Sequence, residues 1–252
     1  MTDLQPALTN LRLRHLATNL DDLIARWTKA RLGPREIVEE IARLEDSDRR
    51  RRSIDRRLRA AHIGRFKPMA DFDWQWPLSL DRDRLERLLT LDFVDAKDNV
   101  VLAGAQGLGK TMIAKNIAHA AVIAGKSTLF TTASAMLLDL SQQDGPRALQ
   151  SAIRRYTSPK LLVIDEVGYL SYDTRMADLL FEIVTRRYEH ASILLTTNLA
   201  FQDWPAHFPG AACVTALIDR LTHHAEIIAI EGRSYRLREA ENRKAGRPAR
   251  AK

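Results

Sequence analysis

Gly104-Ala105-Gln106-Gly107-Leu108-Gly109-Lys110-Thr111 is the stretch on which the reading of this chain turns. It follows the apolar run Val100-Val101-Leu102-Ala103 and leads into Met112-Ile113-Ala114. The first run reads as a buried strand and the residues from Lys110 onward as a helix. Glycines between them let successive amides turn inward around an anion with no Cβ in the way. The helix start adds unsatisfied N–H groups and a positive dipole end at the same point. The spacing G-x-x-x-x-G-K-T therefore predicts a cradle for the phosphates of ATP over residues 104–112. Lys110 is expected on the β- and γ-phosphates and the Thr111 hydroxyl on Mg2+.

Working outward, Leu161-Leu162-Val163-Ile164-Asp165-Glu166 is a buried strand ending in two acids. In open α/β sheets ligands collect at the carboxyl ends of strands. Asp165 is expected in the Mg2+ shell and Glu166 beside the attacking water. Ile193-Leu194-Leu195-Thr196-Thr197-Asn198 is a further strand, and Asn198 at its end would face the γ-phosphate. Strands predicted at 100–103, 127–131, 161–165, 193–197 and 227–230 alternate with helices at 110–124, 133–140, 147–156 and 176–188. That alternation implies a parallel sheet with crossover helices. No Asn-Lys-x-Asp guanine reader is present, which argues against a GTPase. Leu140-Ser141-Gln142-Gln143 lacks both glycines of a transporter signature.

The amino-terminal part reads differently. Leu8, Leu11, Leu13, Leu16, Leu20, Leu23, Ile24 and Trp27 recur at helical steps, and Asn19 is expected to cap a restart. Gly33-Pro34 opens a long charged helix ending in Arg49 to Arg52, Arg56, Arg57 and Arg59. Residues 66–80, with Pro68, Pro77 and four aromatics, read as a linker, and Ser79 as the cap of a short helix. The domain plan is a helical amino-terminal domain at 1–65 for DNA binding or oligomerisation and a linker at 66–80. An ATPase domain at 81–236 and a basic tail at 237–252 complete it. Residues 1–65 carry 15 Lys and Arg against 10 Asp and Glu, and residues 233–252 carry 8 against 2. Basic ends around a slightly acidic middle point to a polyanion such as nucleic acid. One cysteine, Cys213, excludes a disulfide framework and reads as a packing residue. With no membrane span and no signal-peptide layout, the expectation is a cytoplasmic protein with no membrane partner.

The phosphate loop, Asp165-Glu166-Val167-Gly168-Tyr169 and Leu195-Thr196-Thr197-Asn198-Leu199 together resemble an AAA+ P-loop NTPase, with Asn198 at the first sensor position. Ile218-Asp219-Arg220-Leu221 and Gly232-Arg233-Ser234-Tyr235-Arg236 are similar to the branch containing the helicase loader DnaC and the IstB-type transposition helpers. The arginine-rich helix running into Arg57-Leu58-Arg59-Ala60-Ala61, and Phe72-Asp73-Trp74 beyond it, are similar to the IstB type in particular. The resemblance covers nearly the whole chain. It implies an ATPase that forms a homo-oligomer on duplex DNA, largely independent of sequence, and assists a transposase. It implies Arg220 as an arginine finger given to the neighbouring subunit's ATP and Arg236 near the second sensor position. It also implies no carboxy-terminal lid domain after the sheet. A helicase loader acting on single-stranded DNA is the alternative, and the basic ends favour the duplex reading. Gly246-Arg247-Pro248 resembles the centre of a minor-groove hook and makes the tail a candidate DNA clamp.

Overall fold

The computed structural model describes residues 4–76, 79–169, 172–208, 212–235 and 237–238. Packing divides the chain into two units, Met1–Arg56 and Arg57–Lys252. The first holds α1 (Leu4–Asn10), α2 (Arg14–Ala30) and most of α3 (Pro34–Ala60). Its core is thin: Leu16, Leu23 and Trp27 are buried, with Leu8, Leu13, Leu20, Ile37, Ile41 and Leu44 packed on them. Leu11 and Ile24, read as part of the apolar face, are exposed. Asn19 caps nothing. It does mark the expected restart, standing with a non-helical φ of −118 at a kink where two helical segments of α2 meet, but its side chain donates to the His15 carbonyl at 2.8 Å. Glu45 of α3, buried, accepts from the Leu16 amide at 2.8 Å and supplies the cap that Leu13 lacks at the start of α2. As expected, α3 starts at Pro34, with the Gly33 amide bonded to Glu36 at 2.6 Å.

The second unit is built on a parallel sheet. Its elements run α4 (Arg82–Leu88), α5 (Asp92–Ala96), β1 (Asn99–Gly104), α6 (Lys110–Ile123), β2 (Thr128–Thr132), α7 (Ala133–Ser141) and α8 (Pro146–Thr157). They continue with β3 (Leu161–Val167), α9 (Thr174–Arg187), β4 (Ser192–Thr197), α10 (Trp204–His207), α11 (Val214–Thr222) and β5 (Ala225–Ile230). Strand order is β2-β3-β4-β1-β5, all parallel. Alternate residues feed two cores. Val101, Leu162, Ile164, Ile193 and Leu195 face α7, α8, α9 and α11. Val100, Leu102, Leu161, Val163 and Leu194 face α6 and the segment leading into the sheet. Helices on both faces bury the inner strands β1, β3 and β4 twice over, which explains why they read as nearly unbroken apolar runs.

Three readings are revised. Residues 57–65 pack with the sheet unit rather than the helical one: Ala61 and Ile63 are buried in its core, and the Phe130 amide donates to the Ala61 carbonyl at 2.8 Å. The stretch read as a linker is anchored too. Phe66, Met69, Phe72 and Trp74 pack on that core, and Asn116 of α6 bonds the Met69 amide and the Lys67 carbonyl at 3.0 and 2.9 Å. Asp81, not Ser79, caps α4; Ser79 pairs with Glu231 in an antiparallel bridge. Among the described residues no helix is long and apolar enough to cross a membrane.

Candidate nucleotide-binding site

The strand order brings the three motif strands side by side in the middle of the sheet. β4 lies between β1, which ends in the glycine loop, and β3, which ends in the acids. In register, Ala103 pairs with Thr197, and Val167 pairs with the same Thr197 from the other side. Asn198 therefore follows directly between the loop and the acidic pair.

The loop glycines are needed where they stand. Gly107 and Gly109 hold φ of 79 and 88, a left-handed region that side chains rarely tolerate. A Cβ on Gly104 would lie 2.2 Å from the Ile230 carbonyl oxygen, and one on Gly109 would lie 2.8 Å from the Phe72 ring. Lys110 Nζ donates to the Gly104 and Ala105 carbonyls at 2.6 and 2.7 Å, so its ammonium is already turned back over the loop.

At the acidic strand, the pairing of β3 with β4 slips between Ile164 and Val167, a bulge at Asp165-Glu166. Glu166 takes φ 63, uncommon for a residue with a side chain. Bulges re-aim side chains beside active sites, and this one sends Asp165 inward and Glu166 out to the pocket. Asp165 is 3% exposed and its Oδ1 accepts from Thr196 Oγ1 at 2.5 Å and from Thr111 Oγ1 at 3.2 Å. The Thr196 hydroxyl also accepts from the Glu166 amide at 2.9 Å, tying both acids to the central strand.

A pocket of about 430 Å³ opens over the loop. Gln106, Gly107, Leu108, Gly109, Lys110, Thr111, Met112, Glu166 and Asn198 line it together. Gly104, Ala105 and Asp165 are not part of that lining: the first two hold Lys110 through their carbonyls, and Asp165 is buried. Arg220 is elsewhere: its Nη1 donates to Thr185 Oγ1 at 2.8 Å and its guanidinium lies 4.7 Å from the Phe181 ring centre, both on α9. Arg236 and the tail beyond residue 238 lie outside the described residues. Cys213 is half-buried and burial pushes its thiol up, as befits a packing residue.

Sequence reasoning missed one wall of the pocket and one tie within it. Arg65, Lys67, Phe72, Trp76 and Tyr235 also line the pocket. Tyr235 donates its amide to the Gly107 carbonyl at 2.9 Å, and the Trp76 indole donates to the Arg233 carbonyl at 2.6 Å. The aromatics of residues 66–76 were the available signal, since a solvent-bathed linker has no need of them. Thr196 carried a fainter one, a hydroxyl directly after the apolar run Ile193-Leu194-Leu195.

The IstB-like ATP binding protein family model matches residues 6–243. The chain is 34% identical over 246 residues to a Pseudomonas aeruginosa protein of insertion sequence IS21 named for ATP binding, covering 98% of this chain and 92% of that one. It is 37% identical over 204 residues to the corresponding IS5376 protein of Geobacillus stearothermophilus, covering 81% of each. The solved structure of DnaI superposes with a TM-score of 0.55 at 20% identity, over 68% of this chain and 91% of that one, a likeness of fold. With the phosphate loop, the bulged acidic strand and the family match all in register along one chain, this protein belongs to the IstB-like ATP-binding family of insertion sequences.

Proposed function

We infer that this protein is an ATPase that assembles on duplex DNA and assists a transposase in engaging its target. The observation that carries the reading is the convergence of Lys110, Thr111, Glu166 and Asn198 on one pocket, with Asp165 buried beneath them. ATP would enter with its phosphates over residues 104–112, and Lys110 would exchange two loop carbonyls for the β- and γ-phosphates. Thr111 and Asp165 offer only oxygen donors, 3.2 Å apart, which fits a hard cation, and these two residues would hold Mg2+. When bound, that ion neutralises charge on the phosphate oxygens. Glu166, aimed outward by its bulge, would polarise the attacking water while Asn198 orients it.

Arg220 lies outside the pocket lining, held on α9. Its use as a finger therefore calls for a second copy of the chain, and this supports a homo-oligomeric enzyme. The exposed Arg49, Arg50, Arg51 and Arg56 make the helical unit the first candidate for the DNA phosphates. Its place in an insertion-sequence family supports a transposase as the protein partner.

Fluorescent-nucleotide titration beside phosphate release tests the assignment. Lys110→Ala should lose binding and turnover together, whereas Glu166→Gln should keep binding and lose about 100-fold or more in turnover. Equal loss of binding in both variants would refute the division of roles. Mixing Arg220→Ala with Glu166→Gln protein should restore some activity, and a mixture as inactive as its parents under subunit exchange would remove the trans finger. Electron microscopy with ATP, with and without duplex DNA, tests the assembly itself.

A further inference from the structure

The opposite edge of the sheet, where the parallel strands begin, gathers a second set of polar side chains that the nucleotide site does not use. Glu189 lies in the turn between α9 and β4, His223 closes α11, and His224 leads into β5. Their ligand atoms all fall within 4.8 Å of one another, with His224 Nε2 3.9 Å from Glu189 Oε1. The two imidazoles, although consecutive in the chain, converge: their ring centres are 4.1 Å apart and inclined at 59°. All three residues are exposed, so core packing does not account for the convergence.

The groups are held from behind. The His223 amide donates to the Asp219 carbonyl at 2.9 Å, and the His224 carbonyl accepts from the Asn99 amide of β1 at 2.7 Å. The His190 amide, next to Glu189, donates to the Arg187 carbonyl at 2.9 Å. Nδ1 of His223 is hydrogen-bonded to the Tyr188 hydroxyl at 2.7 Å, which orients the ring. Metal-bound histidines are steadied through their other ring nitrogen in the same way.

We propose that Glu189, His223 and His224 bind a divalent transition ion of the zinc class, with water completing the shell. Two imidazole nitrogens and one carboxylate suit Zn2+ or Co2+ and do not suit Mg2+ or Ca2+, which take oxygen donors. Bonds of about 2.0–2.1 Å in a tetrahedron set the donor atoms about 3.3 Å apart, so the exposed side chains close by roughly an ångström. The ion would tie the end of α9 to the end of α11. Those helices also hold Arg220, between Thr185 and Phe181 and three residues before His223. The site is thus a clip on the pair of helices that carries this arginine, and it binds metal whether or not Arg220 serves as a finger.

The test is titration of Co2+ into the tag-free full chain in excess Mg2+, read by visible absorption and followed by competition with Zn2+. One equivalent should bind with the intense bands of a tetrahedral site, Zn2+ should displace it, and the loaded protein should melt higher than the metal-free one. His223→Ala and His224→Ala should each abolish those bands, and Tyr188→Phe should weaken binding about tenfold. Glu189→Gln, which keeps shape and backbone, should also weaken it and guards against a misfolded alanine variant; unchanged metal-free melting checks each protein. Bands and stoichiometry that survive in the His223→Ala, His224→Ala double variant, or a wild type that binds no Co2+ at micromolar ion, would overturn the site. ATP hydrolysis is not the readout, so an inactive enzyme would leave this result standing.

Discussion

The two units of the chain spend their charged residues in opposite ways. In Met1–Arg56 charge dominates and little lies beneath it: among the described residues three large apolar side chains are buried, and the acids Glu45 and Asp48 are drawn inside with them. Asp48 answers Arg51 and Arg52 at 2.6 and 2.8 Å, while Arg49, Arg50 and Arg56 stay exposed on the same helix. In Arg57–Lys252 two apolar layers enclose the sheet, and the buried polar groups sit at strand ends. Asp165 and Thr196 lie at the carboxyl edge, and Asn99, Arg187 and Ser192 at or near the other. A surface that works by summed charge tolerates single losses. A site made of a few atoms in a rigid layer does not.

Arg187 is the strongest place to break that contrast. Its guanidinium, 1% exposed, donates to the carbonyls of Tyr156, Thr157, Pro159, Lys160 and Ser192. Burial lowers its pKa to about 9, so it remains charged at neutral pH. Arg187→Met should strip several buried carbonyls of their donors at about 1–3 kcal/mol each and cost more than about 4 kcal/mol in total. Urea denaturation checks this, and a loss near 1 kcal/mol would show that the carbonyls find other partners.

Trp27→Ala makes the matching cut in the other unit. It should cost about 3–5 kcal/mol there. Amide protection should collapse in residues 14–50 while nucleotide affinity holds. Joint loss of protection across the sheet would dissolve the distinction between the units.

A smaller effect is expected at Thr196, whose hydroxyl serves Asp165 and the Glu166 amide. Thr196→Val should cost about 1–3 kcal/mol in stability and lower kcat more than nucleotide affinity, with Thr196→Ser restoring both. Turnover unchanged in the valine variant would leave the threonine a packing residue.

Smallest in stability is the joint replacement of Arg49, Arg50 and Arg56 by Gln, expected to shift unfolding by about 0.5 kcal/mol per exposed site at most. Its signature belongs to DNA: the salt dependence of binding should flatten by about 0.9 in slope for each phosphate that an arginine no longer neutralises. An unchanged slope would move the DNA surface off this helix.

Much of the sheet unit was legible because its local signals agree. The run into Gly104, the glycine spacing and Lys110 each specify strand, turn and helix at adjoining positions, and all three form there. Asp165 and Asn198 were legible for the same reason, as polar residues ending apolar runs. The wall formed by Phe72, Trp76 and Tyr235 was not, since isolated aromatics in irregular segments have no period to betray which surface they cover. Helix α11 was not legible either, although Leu217 and Leu221 are buried at helical spacing, because a nine-residue helix interrupted by the polar Asp219-Arg220 pair shows too little of a period.

The sequence by itself determined the glycine-rich turn, the succession of the five strands, the helices α6 to α9 and the paired acids at the end of β3, since each depends on backbone freedom and polarity within a few residues. Only the tertiary structure decided that β4 lies between β1 and β3, that a bulge turns Glu166 outward while Asp165 stays buried, and that Thr196 joins the two. It alone decided that residues 57–76 belong to the sheet unit and that Glu189 meets His223 and His224. Those outcomes depend on which distant segments share a layer, and sheet order is set by the burial of whole faces rather than by any single stretch of chain.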